Sequence, residues 1–278
     1  MLRHRLPMDL NAVEAVVQPR TRADLPAWRQ HDCLLGGGTD VLSGSHPGIR
    51  RLVDLGAMGW PPLEASPDGL QIAATCTLAA AAGAEFPPAW TAAGVIAECC
   101  RALAGSFKIW NAATVGGNIC LALPAAPMLA AAVALDGTAL LWPADGGERR
   151  VPMTAFARGP QQTVLRQGEV LRAVEVPAVA LRRRATVRQA SLTAMGRSAA
   201  LLVATLCPGD GAFRLTVTAS TVRPYHRRWP APPGVDALDA WLDALPGDAW
   251  LDDVHGTPAW RRHMTRRLAH DLLDSLTA

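Results

Sequence analysis

Short apolar runs broken by glycine and proline characterise the first part of the chain. Residues 33–35 form a run that stops at Gly36–Gly38, which fits a strand ending in a turn better than a helix. Two further runs, at 51–55 and 69–73, predict strands on either side of a double proline. The pattern therefore predicts a strand-rich N-terminal region connected through tight turns.

Between about residues 77 and 135, apolar residues recur mainly at helical spacing. An alanine-rich stretch, 77–84, begins at Thr77, a residue type that caps helices. A second helix is predicted over 88–103 and a third over 127–135. Between them, 111–118 contains two adjacent glycines and is predicted as a loop.

Strand patterns return in the second half, followed by two terminal helices. The predicted strands cover 138–142, 149–151, 170–176, 184–191, 199–206 and 212–220, and the helices cover 235–245 and 257–276. The segment 179–184 carries three consecutive arginines after a proline-terminated strand, and we predict it to be a linker.

These elements predict an α+β protein of two regions. The first is residues 1–177, divided into lobes at about 1–58 and 59–177, and the second is residues 178–278. A length of 278 residues is sufficient for two ordinary domains. No internal repeat is visible in the sequence.

The amino-acid composition excludes several classes of binding site. Half of the residues are apolar and 18% are charged, so the chain can bury a core. A net charge of +3 gives no argument for nucleic-acid binding. Lys108 is the single lysine among 27 basic residues, and its surroundings match neither a P-loop nor a pyridoxal site.

Nothing in the sequence predicts secretion or a membrane span. Residues 1–7 are basic but no apolar stretch follows them, so no signal peptide is expected. The most apolar window, 119–135, is shorter than the roughly 20 residues a spanning helix needs, and Pro124 and Pro127 interrupt it. The six cysteines show no C-x-x-C pair and are expected to be buried thiols. We therefore expect a soluble, cytoplasmic protein.

Two glycine turns carry the candidate chemistry. Gly36–Gly38 precedes Thr39 and Asp40, and Gly116-Gly117-Asn118 follows Thr114. Glycine permits positive φ and lets successive backbone N–H groups approach an anion. One such turn is more often a tight turn than a ligand site. Two of them suggest an extended ligand held at two points, such as a dinucleotide with a central pyrophosphate. Neither matches G-x-G-x-x-G, so a Rossmann site is not supported.

Other constellations are absent from the sequence. The seven histidines form no H-x-H or H-E-x-x-H pattern and are expected at the surface, so no metal site is predicted. Gly196-Arg197-Ser198 lacks the closing glycine of a nucleophile elbow. The paired arginines at 227–228, 261–262 and 266–267 are expected on solvated faces or at a protein interface. No catalytic residue is predicted.

Six segments together resemble the FAD-binding medium subunit of the xanthine dehydrogenase and carbon monoxide dehydrogenase group of molybdenum hydroxylases. The glycine segments are similar to "L-A-G-G-T-D" and "N-x-A-T-I-G-G-N-I" of that family, and the others to its flanking strands and terminal helix. In order, they are 34–40, 49–55, 70–78, 111–119, 168–177 and 250–262.

The resemblance implies a two-part FAD-binding unit of the PCMH type, followed by a C-terminal sheet-plus-helices domain of the carbon monoxide dehydrogenase flavoprotein type. It also implies FAD contacts around the pyrophosphate and ribityl chain, a leucine near the flavin ring, and a basic residue where some relatives have a lysine. The implied residues are Leu35, Gly36, Gly37, Gly38, Thr39, Asp40, Thr114, Val115, Gly116, Gly117, Asn118, Leu171 and Arg188.

The implied function is electron transfer without substrate chemistry. In this family, electrons pass from a large molybdopterin-binding subunit through the 2Fe–2S clusters of a small subunit to this FAD, and then to an external acceptor. The implied assembly is a heterotrimer or a dimer of heterotrimers, with no nucleic acid.

Departures from the family pattern leave alternatives open. Pro127 stands where the family usually has an aspartate, and Trp110 stands where an arginine is common. Losing an ionic hydrogen bond of about 1.5–3 kcal/mol would weaken FAD binding roughly tenfold to a hundredfold. A degenerate subunit that serves as a scaffold is one alternative. A stand-alone flavoprotein is the other, although neither glycine turn has an adjoining histidine.

Overall fold

The computed structural model describes residues 10–194 and 196–278, so the basic segment 1–7 and His4 lie outside the described residues. The strands are Ala15–Val17 (β1), Asp32–Leu35 (β2), Arg51–Asp54 (β3), Leu63–Ser66 (β4), Gly69–Ala73 (β5), Thr138–Trp142 (β6), Arg149–Pro152 (β7), Ala157–Gly159 (β8), Gln162–Thr163 (β9), Val170–Pro177 (β10), Arg184–Ala190 (β11), Ala200–Leu206 (β12), Phe213–Thr218 (β13) and Tyr225–Trp229 (β14). The α-helices are Leu78–Ala82 (α1), Gly94–Arg101 (α2), Phe107–Ala112 (α3), Val115–Leu121 (α4), Pro127–Ala134 (α5), Ala178–Leu181 (α6), Val235–Asp243 (α7) and Pro258–Thr277 (α8).

The N-terminal sheet is parallel and small. Its strand order is β1-β3-β2, with Leu35 on β2 opposite Asp54 on β3. Because the strands are parallel, their carboxyl ends meet at one edge, and Gly36–Gly38 leaves from that edge directly after β2. This confirms the predicted strand that ends in a glycine turn.

A five-stranded antiparallel sheet forms the middle of the molecule, in the order β4-β5-β10-β6-β7. Helices α2, α4 and α5 contribute apolar side chains to the same buried cluster as β5 and β10. All eight residues of α5 are buried, because an alanine-rich helix can be enclosed on every side. This sheet and these helices form the main core.

The C-terminal sheet, β11-β12-β13-β14, is antiparallel and apolar on both faces. Along β12, Leu201 and Val203 join the main core, whereas Leu202 and Ala204 join a second core with α7 and α8. Alternation with a period of two assigns the two sets to opposite faces. The sheet is therefore covered by helices on both sides.

Two sequence predictions about surface segments are wrong. The predicted linker 179–184 contains most of α6, and Arg183 is 3% exposed and paired with Asp136. Of the arginines at 261–262, Arg261 is 1% exposed, because the helical phase of α8 directs it inward. Burial of a guanidinium requires paired acceptors, and both residues have an aspartate partner.

The predicted loop 111–118 is also different in the structure. It contains the end of α3 and the start of α4, separated by Ala113 and Thr114. Glycine disfavours helices, so this segment carries no local helical signal, but tertiary contacts override that weak preference.

The six cysteines are free thiols, and three of them, Cys76, Cys99 and Cys100, are fully buried. Among the helices of residues 10–194 and 196–278, none combines the length and the apolar character required to cross a lipid bilayer.

Candidate functional site

The two glycine turns touch each other. A Cβ on Gly36 would lie 2.6 Å from Oγ1 of Thr114, and a Cβ on Gly37 would lie 1.6 Å from the carbonyl oxygen of Ala112. The first turn therefore packs backbone against backbone on the segment that enters α4. The sequence suggested two separate points that hold an extended ligand, but the structure forms one continuous site.

The first turn presents unpaired backbone amides. The N–H groups of Gly37, Gly38, Thr39 and Asp40 donate to no acceptor within the described residues. Gly38 has a φ of +70°, which glycine adopts without strain. Successive amides around such a residue form a concave anion site, and unpaired amides need a ligand or water as acceptor. We refer to the amides of residues 37–40 as the amide nest.

The second turn presents no comparable set of amides. Its four N–H groups donate within the chain at 2.8–3.0 Å: Val115 to Cys76 O, Gly116 to Ala74 O, Gly117 to Thr114 Oγ1, and Asn118 to Thr114 O. The expectation that both turns offer amides to a pyrophosphate is therefore not met at the second. A Cβ on Gly116 would lie 2.5 Å from the Cβ of Ala74, so this glycine permits close packing of α4 on the core.

Two polar side chains of the second turn have defined tasks. Thr114 caps α4 by accepting the Gly117 amide. Asn118 Oδ1 accepts the amide of Met128 at 3.0 Å, which caps α5 because Ala126, at the usual capping position, has no side-chain acceptor. Its Nδ2 group has no acceptor in the part of the chain that the structure describes, and so remains available as a donor.

A cavity of about 150 Å³ adjoins the second turn; we call it the α4 cavity. It is lined by the segment 102–104 after α2, by Asn118 and Leu121 of α4, and by Arg197 and Ser198 before β12. Asn118 is one helical turn from Thr114, against which Gly36 packs, so this mainly apolar cavity lies along the same helix as the contact between the two turns. The sequence does not indicate Arg197 as a site residue, because Gly196-Arg197-Ser198 resembles only an incomplete nucleophile elbow.

Two of the implied contact residues lie elsewhere. Leu171 is 3% exposed and faces Leu141 on β6, inside the main core. Arg188 on β11 donates to Thr186 Oγ1, to the Val187 carbonyl and to Ser275 Oγ on α8. The structure therefore does not bring Arg188 into contact with either turn.

An ion pair fixes the start of β2. Arg51 on β3 donates to both carboxylate oxygens of Asp32, at 2.8 and 2.5 Å, and the Asp32 side chain is 1% exposed. The hydrogen bonds from Arg51 lower the pKa of Asp32 despite its burial. The strand that carries the amide nest is thus anchored at its opposite end.

The fold and this site define a flavin-binding protein: glycine turns in close contact, an anion nest and an adjoining apolar cavity. Residues 12–179 match the family described as "FAD binding domain in molybdopterin dehydrogenase", and the chain belongs to that family. It is therefore an oxidoreductase component of the molybdenum hydroxylase family, and its cofactor is FAD.

Solved structures share the fold over nearly the whole chain. Reconstituted CO dehydrogenase from Oligotropha carboxidovorans is 19% identical, with a TM-score of 0.84 over 97% of this chain and 99% of that one. Carbon monoxide dehydrogenase from Hydrogenophaga pseudoflava is 18% identical, with a TM-score of 0.79 over 94% and 96%. Quinoline 2-oxidoreductase from Pseudomonas putida 86 is 19% identical, with a TM-score of 0.78 over 97% and 98%. No curated protein sequence shows a significant match.

The residues present fit FAD. The close approach of Gly37 to the Ala112 carbonyl holds the amide nest against the segment that enters α4. The amide nest matches the negative charge of a pyrophosphate, and the α4 cavity offers apolar walls to a flat ring.

Proposed function

We propose that this chain is the FAD-carrying electron-transfer subunit of a multi-subunit molybdenum hydroxylase in the cytoplasm. It would receive electrons from the 2Fe–2S clusters of a small partner and pass them to an external acceptor. The substrate would be oxidised on a large molybdopterin-binding partner. The observation that carries this proposal is the unpaired amides of residues 37–40 beside the Ala112–Thr114 segment.

The amide nest would hold the pyrophosphate. Backbone N–H groups carry partial positive charge and cost no rearrangement when an anion binds, since β2 and the contact with Ala112 already fix the turn. Leu35 lies beside this nest, because its Cδ1 is 3.4 Å from the position that a Cβ on Gly38 would occupy. Gly36–Asp40 thus forms one wall of the proposed cofactor site.

The Thr114–Asn118 segment would form the opposite wall. Its amides already donate within the chain. It would therefore contribute a wall without side chains at Gly116 and Gly117, together with the Nδ2 donor of Asn118. When bound, FAD supplies the ability to accept two electrons and release them to an acceptor. The surrounding chain holds and orients the cofactor and shields it from water.

Leu171 and Arg188 take different places in this proposal. Leu171 would support the cofactor site from within the core rather than touch an open surface. Arg188, whose guanidinium bonds to Ser275 on α8, would take no part in holding or tuning the flavin.

The partner assignment rests on the family and on what the neighbours are. The names of the similar structures are those of CO dehydrogenase and quinoline 2-oxidoreductase, and one lacks the Mo-pyranopterin moiety of the molybdenum cofactor. Membership in the same family supports a molybdenum subunit and an iron–sulfur subunit as partners here, whether in a heterotrimer or in a dimer of heterotrimers.

The test is purification of the chain together with its co-expressed partners. We expect a yellow-brown complex that releases FAD in an amount equal to that of this chain. A preparation without flavin, from cells supplied with riboflavin, would contradict the proposal.

A second candidate function is that of a scaffold that has lost FAD, and Pro127 is the observation that favours it. This proline begins α5 and is buried, so the family's aspartate has no counterpart there. Pro127→Asp distinguishes the two functions: a scaffold that lost FAD through this change regains flavin, whereas a working site gains none.

A further inference from the structure

The α4 cavity contains a cation without a carboxylate partner. Arg197 lines the cavity, and within residues 10–194 and 196–278 its guanidinium takes part in no ion pair and no side-chain hydrogen bond. Neither aspartate nor glutamate is among the described residues that line the cavity. The positive charge of Arg197 is therefore not neutralised locally.

Arg188 is placed differently. Its guanidinium is hydrogen-bonded to Ser275 on α8, on the face of the C-terminal sheet that also carries Leu202. The α4 cavity lies against α4 and the end of α2, which belong to the main core on the opposite face. Of these two arginines, Arg197 is the one that lines the α4 cavity.

We infer that Arg197 faces the flavin ring and raises its reduction potential. This inference rests on the proposed function, since it requires FAD in the site. Asn118 lines the α4 cavity and has an Nδ2 donor that is free within the described residues, so a cofactor with its pyrophosphate in the amide nest would extend along α4 with its ring at this cavity. The mainly apolar walls leave Arg197 as the nearest full charge among the lining residues.

The physical basis is the change of charge on reduction. The oxidised ring is neutral, and uptake of two electrons and one proton makes it a monoanion. A neighbouring guanidinium attracts the reduced form more than the oxidised form, and a cavity partly screened from water strengthens that attraction. Arginine keeps its charge at all working pH values, so the guanidinium supplies the same positive charge throughout the titration of the flavin.

The test compares three variants of the chain in its complex: Arg197→Met, Arg197→Lys and Arg188→Met. FAD affinity is measured by fluorescence quenching, and the midpoint potential of the bound flavin by equilibration with redox dyes. For Arg197→Met we expect the ratio of reduced to oxidised flavin at a fixed potential to fall about tenfold, which is about 30 mV for two electrons. Arg197→Lys should recover most of this loss, and Arg188→Met should leave the potential unchanged.

Three outcomes decide the matter. If Arg197→Met binds FAD at the wild-type potential, or if Arg188→Met alone lowers it, the inference is wrong while the proposed function stands. If the wild-type complex binds no FAD, the proposed function fails and the inference with it. Circular dichroism confirms the fold of each variant, and Arg197→Gln, which keeps a polar side chain, replaces Arg197→Met if the latter does not fold.

Discussion

Gly37 lies against the carbonyl group of Ala112 so closely that a Cβ on Gly37 would be 1.6 Å from the carbonyl oxygen. These two residues are far apart in sequence, and their contact joins the N-terminal parallel sheet to the entrance of α4. It places the amide nest beside the polar side chains of the second turn. A backbone-to-backbone contact of this kind is open to glycine alone.

Gly37→Ala should therefore disrupt both the site and the packing. The two backbones must separate, which costs about 1–3 kcal/mol of unfolding free energy by the usual scale for overpacking. We expect FAD affinity to fall at least tenfold, measured by flavin fluorescence, and a lower urea midpoint. Gly48→Ala is the control, because a Cβ there meets nothing within 4 Å. Equal flavin binding by both variants would contradict the contact.

Asn118 offers a way to separate capping from cofactor contact. Asn118→Ala removes the acceptor for the Met128 amide and should cost about 1 kcal/mol of stability, as other caps do. Asn118→Asp keeps that acceptor but replaces the Nδ2 donor with negative charge beside the proposed pyrophosphate site. We expect Asn118→Asp to retain the thermal midpoint and to lose about tenfold in FAD affinity, about 1.4 kcal/mol. The reverse ordering, with stability lost and affinity kept, would exclude contact between Asn118 and the cofactor.

Arg261 fastens α8 to the C-terminal sheet from inside the protein. Its guanidinium donates to the carbonyls of Ala199 and Ala219, each at 2.7 Å, and pairs with Asp253. Arg261→Met leaves these buried acceptors unpaired, and we expect a loss of about 3–5 kcal/mol in unfolding free energy, measured with urea. Arg267→Met on the exposed face of the same helix serves as the control and should change little. Similar losses in both variants would refute a special role for Arg261.

The Asp32–Arg51 pair should make stability depend on pH in the acid range. Hydrogen bonds from Arg51 hold the pKa of Asp32 below its ordinary value of about 3.9. A lowered carboxyl pKa stabilises the folded state fully above the unfolded value, and that stabilisation disappears as the pH falls through the folded value. We expect the urea midpoint to fall between about pH 5 and pH 3.

Asp32→Asn should be less stable than the wild type at neutral pH and should lose less between those pH values. Asp145→Asn removes an exposed carboxylate on a different part of the surface, and should follow the wild-type curve. An Asp32→Asn curve parallel to the wild type would show that the pair does not set this dependence.

Local sequence signals were sufficient for much of the fold and for one half of the site. A short apolar run before three glycines predicted β2 and its turn, because strand length and glycine punctuation are local properties. The helix predicted over 127–135 is α5, since Pro127 at its start and Asp136-Gly137 after its end are strong boundary signals. The amide nest lies where these signals indicated.

The second turn could not be interpreted in the same way, because glycine serves both anion binding and close packing. At Gly116 the partner is Ala74, which lies far away in sequence, so its role is decided by tertiary contact. The same holds for arginine: Arg261 and Arg262 are neighbours in sequence, and the helical phase alone makes one buried and the other exposed. Arg197 carried no local signal, since its significance comes from the cavity that folding creates beside α4.

The small hydrophobic cluster beside the N-terminal sheet has a consequence for cofactor binding. In the described part of the chain, the cluster beside this sheet has three buried members, Leu55, Met58 and Val170, and Leu25, Leu34, Trp60 and Trp142 are only partly buried against them. Because few apolar residues are buried in this interface, the free energy of local opening is expected to be small. A cofactor bound between the amide nest and α4 would contact both sides and stabilise the packed arrangement of the lobe. Binding of FAD and completion of the folded state would then occur together, and proteases would cleave the FAD-free chain faster than the FAD-bound chain.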